Sequence, residues 1–173
     1  MNKRKIIIIA GPSAVGKTAL AISKAKKIDG EIISADSMQI YKQMNIGTAK
    51  VTAEETLGIM HHLIDIVNPN QEFSVADYAF LAKKCIEDII SRGKVPILVG
   101  GTGLYISSVV YNMDFNNSTP NESVREKYNV ILFEKGPDYL FSLLSSRSKE
   151  AADSIHPNNI KRVIRALEIL DFQ

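Results

Sequence analysis

Residues 6–18 read Ile6-Ile7-Ile8-Ile9-Ala10-Gly11-Pro12-Ser13-Ala14-Val15-Gly16-Lys17-Thr18. A β-branched run thus enters the pattern G-x-x-x-x-G-K-[ST], and the helix-prone stretch Ala19 to Lys27 leaves it. Strand, loop and helix in that order are what a phosphate-binding loop requires; a glycine-rich turn that happens to carry a lysine needs neither flank. Gly11 and Gly16 let the backbone turn and approach a polyphosphate, while successive N–H groups and the helix N-terminus point at the anion. Lys17 adds a mobile positive charge, and Thr18 a hydroxyl suited to a phosphate-bound Mg²⁺. With Pro12, Ser13, Ala14 and Val15 between the glycines, residues 11–18 form the predicted diphosphate-binding set. The loop predicts a di- or triphosphate ligand and leaves open which bond breaks.

The 173 residues fit one domain with a small appendage, and a 45% hydrophobic content suffices for a core. One cysteine, Cys85, excludes an intramolecular disulfide framework and a cysteine-rich metal site. It falls on the apolar side of a predicted helix, where buried filler is the better reading than a nucleophile. No apolar run reaches the length of a membrane span, and the basic start Met1 to Lys5 leads into a first strand instead of a signal peptide. The expectation is a cytoplasmic monomer without membrane contact. A net charge of +2, with no basic tail, makes any nucleic-acid contact local and shape-directed.

Working outward from the loop, the pattern predicts strands at Lys5 to Ala10, Glu31 to Ala35 and Val95 to Val99. It predicts helices at Lys17 to Ile28, from Ser74 to Gly93, and from Leu104 to Val110. Ser74 and Asp77 form a shortened capping-box pair. Asp36 to Lys50 reads as a polar loop, Thr52 to Leu57 as a short helix, and His61 to Val67 as an extended piece. Apolar strands alternating with helices argue for an α/β fold: a P-loop NTPase-like parallel sheet covered by helices. After Tyr111 the texture changes to an Asn/Ser/Thr-rich linker (Asn112 to Asn121). Helices follow at Glu122 to Phe133, Asp138 to Ser145 and Lys149 to Ile155, with a last one opened by Pro157. The resulting division is a core at 1–111, a helical insertion at 112–155, and a helix at 156–173 returning to the core. Three strands are few for such a sheet, so the chain reads as the front part of a longer protein.

In many phosphate-loop proteins a carboxylate at the end of a later strand helps to hold Mg²⁺. Here Val95 to Val99 runs into Gly100-Gly101-Thr102 and offers none. The nearest carboxylate at a strand's C-terminal edge is Asp36, where ligands of doubly wound sheets sit. Asp36, Lys17 and Thr102 are therefore expected around one crevice, Asp36 orienting metal-bound water or accepting a proton; a plain turn aspartate is the alternative. His61-His62 cannot both chelate one ion from an extended segment, so a structural role is the better reading. Arg162 and Arg165 read as a solvated helix face, with phosphate or RNA contact as the sharper option.

Four stretches together carry a family signature: Gly11 to Thr18; Ser34-Ala35-Asp36-Ser37-Met38-Gln39-Ile40-Tyr41 continuing to Gly47-Thr48-Ala49-Lys50; His61-His62-Leu63-Ile64-Asp65; and Gly100-Gly101-Thr102-Gly103-Leu104-Tyr105-Ile106. A fifth is His156-Pro157-Asn158 with Arg162-Val163-Ile164-Arg165-Ala166-Leu167-Glu168. The chain resembles the tRNA dimethylallyltransferases, also called tRNA isopentenyltransferases, over essentially its whole length. The phosphate loop alone is common, but Asp-Ser-Met-Gln with Gly-Gly-Thr-Gly-Leu-Tyr at this spacing is specific. Ser13, Asn45 and Val51 depart mildly from the family's usual Thr, Asp and Pro. Family members also run on past residue 173, with further strands and another diphosphate-binding arginine.

The resemblance implies transfer of a dimethylallyl group from dimethylallyl diphosphate to N6 of the adenosine 3′ to the anticodon in tRNA, with Mg²⁺ and release of diphosphate. It implies Asp36 as general base, Thr102 ordering the centre, and Ser37, Met38 and Gln39 reading a flipped-out base. It also places Arg125 near tRNA and makes the helices after Asn112 a clamp on the anticodon stem-loop. The chemistry is consistent: an exocyclic adenine amine is a poor nucleophile, so aim and proton removal matter, while an allylic carbon mainly needs its leaving diphosphate stabilised. Competing readings are an adenylate dimethylallyltransferase acting on free AMP, a small-molecule kinase, and an inactive fragment that binds diphosphate or tRNA. Scattered arginines disfavour the kinase, which would need an arginine-rich lid.

Overall fold

The computed structural model describes residues 5–113 and 121–172. The linker expected at Asn112 to Asn121 therefore lies largely outside the described residues. The chain divides into two compact units, residues 1–113 and 114–173.

In the first unit, β1 (Ile7–Ala10), α1 (Lys17–Ile28), β2 (Gly30–Ser34), β3 (His61–His62), α2 (Val75–Ser91), β4 (Val95–Gly100) and α3 (Gly103–Val110) follow in order. The sheet is parallel, in the order β1-β4-β2-β3. The parallel α/β architecture is as read from the sequence, with a fourth strand in the extended piece that opens at His61. Two-residue periodicity along the strands sorts the core. Ile32, Ile97 and Val99 pack with Ala21, Ile22 and Ala25 of α1. Ile33 and Leu98 face the other way, onto Tyr78, Ala82 and Ile89 of α2 and Tyr105 of α3. Tyr78 and Tyr105 stack with ring centroids 3.9 Å apart, and the Tyr78 hydroxyl donates to the Ser34 carbonyl at 3.0 Å. Burial pushes both phenols up, that of Tyr105 to about 12.

Local chemistry explains most boundaries. The Ser74–Asp77 capping box forms reciprocally at the start of α2, and Gly93 follows its end with φ +77°. The helix expected at Thr52 to Leu57 is a succession of turns instead. Thr52 and Glu55 cap each other as at a helix start, but Leu57 and Gly58 both take positive φ and stop propagation. Cys85 lies partly buried against the α2 side of the core, its thiol pushed up by burial.

The second unit holds α4 (Glu122–Arg147), α5 (Lys149–Asp153) and α6 (Ile160–Leu170). The two helices read at 122–133 and 138–145 are both present within α4, separated by a kink where Gly136 takes a non-helical φ of 81° before Pro137. Helix α6 starts at Ile160, capped by the Asn159 side chain, and not at Pro157. It shares a core with α4 and α5 through Tyr128, Leu140, Leu144, Val163 and Leu167.

Two contacts in the first unit set its tolerance to change. At the C-terminal end of the sheet, a Cβ on Gly100 would lie 2.1 Å from the Ala35 carbonyl oxygen and 2.3 Å from its carbon. At the other end the Glu31 side chain, 3% exposed, accepts from both Arg92 guanidinium nitrogens, from His62 Nε2 at 2.8 Å and from Lys94 at 3.2 Å. Arg92 above all, then His62 and Lys94, hold the Glu31 carboxyl well below the usual carboxylate range against the opposing effect of burial. Gly100→Ala is accordingly expected to leave no folded, soluble protein, read by circular dichroism and gel filtration. Glu31→Gln is expected to lose about 2 kcal/mol at pH 7 in urea melts, the scale of a hydrogen bond to a charged group. Because the native pKa is depressed, Glu31 stabilises fully above the unfolded value of about 4.3 and progressively less as pH falls below it. Wild type should therefore lose stability between about pH 5 and pH 2, and the variant's curve should be flatter there.

Candidate functional site

The phosphate loop spans from β1 to α1. Gly16 takes φ +85° as the N-cap of α1, a left-handed geometry suited to glycine, and Ala14 adopts φ 64°. Gly11 stays outside the left-handed region, and an added Cβ there would meet only ordinary contacts with Val15 and Lys17. The backbone freedom predicted for both glycines is thus used at Gly16. No acidic residue occupies the first turn of α1 and no side chain caps it. Its N–H groups and dipole therefore favour an external anion. The Lys17 ammonium donates to the Pro12 carbonyl at 2.5 Å, which folds it along the loop.

Asp36 follows the end of β2. Its Oδ1 accepts from the backbone N–H of Met38 at 2.9 Å and of Gln39 at 3.3 Å, so the turn-forming role does hold. That turn fixes the carboxyl plane while Oδ2 has no protein partner among the described residues. The Thr102 hydroxyl accepts from the Ser37 N–H at 2.9 Å and lies 3.3 Å from the Ser37 hydroxyl. Thr102 thus holds Ser37 through its hydroxyl and Ala35 through its N–H, the two residues that flank Asp36. Met38 is 45% exposed. Gln39 is different: Ser34 donates to its Oε1 at 3.1 Å, and its amide donates to the Thr48 carbonyl at 3.0 Å. Both ends of that side chain hold the loop together.

Lys17, Thr18, Ser13 and Asp36 open on one cavity, together with Gln39 and His61. Ala21, Ile32, Val51, Ile64 and Val99 form an apolar part of its wall, beside Ser34 and Thr48. Lys17 and Asp36 therefore line the same cavity, whereas neither Thr102 nor Ser37, which it holds, is part of that lining. His62 has the structural role anticipated for it, on Glu31. His61 donates from Nδ1 to the Ile59 carbonyl at 2.9 Å, since a carbonyl can only accept. Burial lowers its pKa, so the neutral ring leaves Nε2 as an acceptor, sealed from solvent and without a partner among the described residues. Among the described residues no three His, Cys, Asp or Glu side chains cluster to hold a metal. No described helix is long and apolar enough to cross a membrane.

Sequence reading missed the latch that shapes this cavity. The Lys50 ammonium, on a side chain 5% exposed, donates to the Tyr41 carbonyl and to Asp65 at 2.6 Å. Lys50 and Asp65 stand in two of the stretches that carry the resemblance, which was the available signal.

In the second unit Arg125 donates from Nε to Glu168 at 3.1 Å and keeps 41% side-chain exposure. Glu168 is fully buried, and burial pushes its carboxyl up. Arg165, the Asn121 N–H and Arg125 outweigh that and hold it low. Arg165 is thus held 2.7 Å from Glu168, while Arg162 is solvated as the plain reading predicted.

The IPP transferase family model matches residues 39–173. A tRNA dimethylallyltransferase of Thermoanaerobacter sp. (strain X514) is 55% identical over 168 residues, 97% of this chain and 53% of that protein. One from Oceanobacillus iheyensis is 53% identical over 169 residues, 98% of this chain and 54% of its own. The crystal structure of the full-length tRNA isopentenylpyrophosphate transferase from Bacillus halodurans is 48% identical. It superposes with a TM-score of 0.66 over 98% of this chain and 56% of that one. A eukaryotic dimethylallyltransferase acting on tRNA is 37% identical with a TM-score of 0.83, over 96% of this chain and 41% of its own. The chain spans about half the length of the curated relatives it matches. Their likeness agrees with the P-loop NTPase-like sheet, and the family model covers well over half of the sequence: the chain belongs to the IPP transferase family.

Proposed function

We propose that this chain takes part in transfer of a dimethylallyl group from dimethylallyl diphosphate to N6 of the adenosine 3′-adjacent to the anticodon in tRNA, releasing diphosphate. The observation that carries the reading is that the phosphate loop and the Asp36 carboxyl open on one cavity. An anion-binding cradle beside a proton acceptor suits a reaction in which an anion leaves as an amine attacks. The names of the relatives above support the same substrates.

In this reading the loop N–H groups of residues 11–18 and the Lys17 ammonium hold the diphosphate and take up the charge it gains as the C1–O bond breaks. Asp36, its plane fixed through Met38 and Gln39, accepts the N6 proton as the N6–C1 bond forms. Thr102 keeps Ser37 in place, and Ser37 and Met38 flank the flipped-out base. Gln39 serves this site as the anchor of its loop, with its amide already engaged. Arg125, still partly exposed beside Glu168, is the proposed contact of the helical unit with the anticodon stem-loop.

The donor set suits Mg²⁺ held through the ligand. Thr18 offers one hydroxyl on the cavity wall, and this ion commonly takes few protein oxygens and completes its shell with phosphate and water. When bound, it would neutralise charge on the leaving diphosphate.

Titration calorimetry with Mg²⁺ tests the reading. Dimethylallyl diphosphate is expected to bind more tightly than ATP, and Lys17→Ala to weaken it about a hundredfold, the scale of losing one preorganised charge partner. With an anticodon stem-loop, mass spectrometry should find the prenylated adenosine. Asp36→Asn should lower kcat by about 10²–10⁴ at unchanged donor affinity, as for loss of a general base. Preference for ATP, or no binding of the prenyl diphosphate, would overturn the assignment.

A further inference from the structure

The phosphate loop serves two hollows. Besides the cavity that holds Asp36, a larger open groove runs along α1 toward Leu57. Ala14, Lys17, Thr18, Ala49 and Val51 line both, so the two are continuous at the anion cradle. Beyond that junction the groove is walled by Ala19, Ile22, Val51 and Leu57, with Lys26 and Glu55 also along it. Leu57 is 60% exposed and is held outward by its own left-handed backbone, φ 51°, at the end of the turns that replace the expected helix. Neither Asp36 nor Gln39 reaches this side.

A cationic anion cradle opening onto an apolar trough matches one ligand chemistry, an anionic head on a long hydrocarbon chain. We propose that the groove along α1 binds the tail of an isoprenoid diphosphate of ten or more carbons, its diphosphate head seated in the phosphate loop. The inference rests on the reading of that loop as a diphosphate site. The Asp36 cavity is the smaller of the two hollows, so each five-carbon unit beyond the first adds apolar area for the groove to cover. With the tail on the α1 side, C1 is drawn away from Asp36. The bound molecule then keeps its C1–O bond and competes with the five-carbon donor without reacting. Availability of longer isoprenoid diphosphates would in this way set the fraction of sites open to transfer.

Calorimetric titration with inorganic diphosphate, dimethylallyl diphosphate and geranyl diphosphate tests this. Geranyl diphosphate is expected to bind at least tenfold more tightly than inorganic diphosphate, in line with partial burial of its added methylene groups. Leu57→Gln, and independently Ala19→Gln, should weaken geranyl diphosphate about fivefold or more and leave the other two ligands unchanged. Both positions are exposed and line only the groove, so folding is spared. Geranyl diphosphate should compete with the five-carbon donor, and no geranylated adenosine should form on the anticodon stem-loop. Geranyl diphosphate binding no tighter than inorganic diphosphate would overturn the groove, as would indifference to both substitutions, while a geranylated product would overturn the unreactive mode. Failure of all three ligands to bind would instead remove the diphosphate site on which the inference rests.

Discussion

The site depends on how closely two strands end. Gly100 of β4 packs on the Ala35 carbonyl with no room for a side chain, and Ala35 donates to the Val99 carbonyl at 2.7 Å while accepting from the Thr102 N–H at 3.1 Å. On the opposite flank Gly11 donates to the Gly100 carbonyl at 3.3 Å. Three loops that leave β1, β2 and β4 are thereby laced at their first residues. Those residues open the phosphate loop, precede Asp36 and carry Thr102. A parallel sheet gathers its strand ends at one edge by construction. The missing Cβ brings the loops into hydrogen-bonding range of one another.

Around that lacing, polar side chains are satisfied in an order that separates holding from acting. Gln39, Thr48, Lys50 and Asp65 bind one another or nearby carbonyls and leave little capacity for a ligand. Lys17, Thr18 and Oδ2 of Asp36 are left facing the cavity. Buried polar groups cost most when unpaired, so saturation of the loop anchors is what lets the remaining groups stay poised. His61 departs from that pattern, since its Nδ1 is fixed and its Nε2 has no partner among the described residues.

Much of the first unit was legible because its signals are local. The β-branched run before Gly11 and the Ser74–Asp77 box each fix geometry within a few residues. So does the passage from Val95–Val99 into Gly100-Gly101. The turns at 53–58 were not legible, since Thr52 and Glu55 cap like a helix start and only the positive φ at Leu57 reveals the break. The loop-holding contacts of Gln39 were not legible for a different reason. Its partners, Ser34 and the Thr48 carbonyl, lie on other segments, and an amide that could read a base can equally staple a loop. Nor does Glu31 stand out in a strand of Gly30-Glu31-Ile32-Ile33-Ser34; Arg92, 61 residues on, makes sense of it.

The position of the carboxylate bears on what kind of phosphate-loop protein this is. A carboxylate at the end of the strand beside β1 would stand next to the cradle, where a metal ion on the phosphates sits. Here that strand, β4, ends in Gly100, and the acid follows β2, one strand further away. Asp36 is also tied into a turn that aims its plane from the loop backbone and not from the phosphate side. An acid so displaced is better placed to meet a second substrate than to complete a metal's shell. Under the proposed function, the strand order would separate two tasks that many phosphate-loop proteins combine: charge would be managed at β1 and α1, and the proton at β2. That separation suits a transfer whose nucleophile is weak and whose leaving group is already a good one.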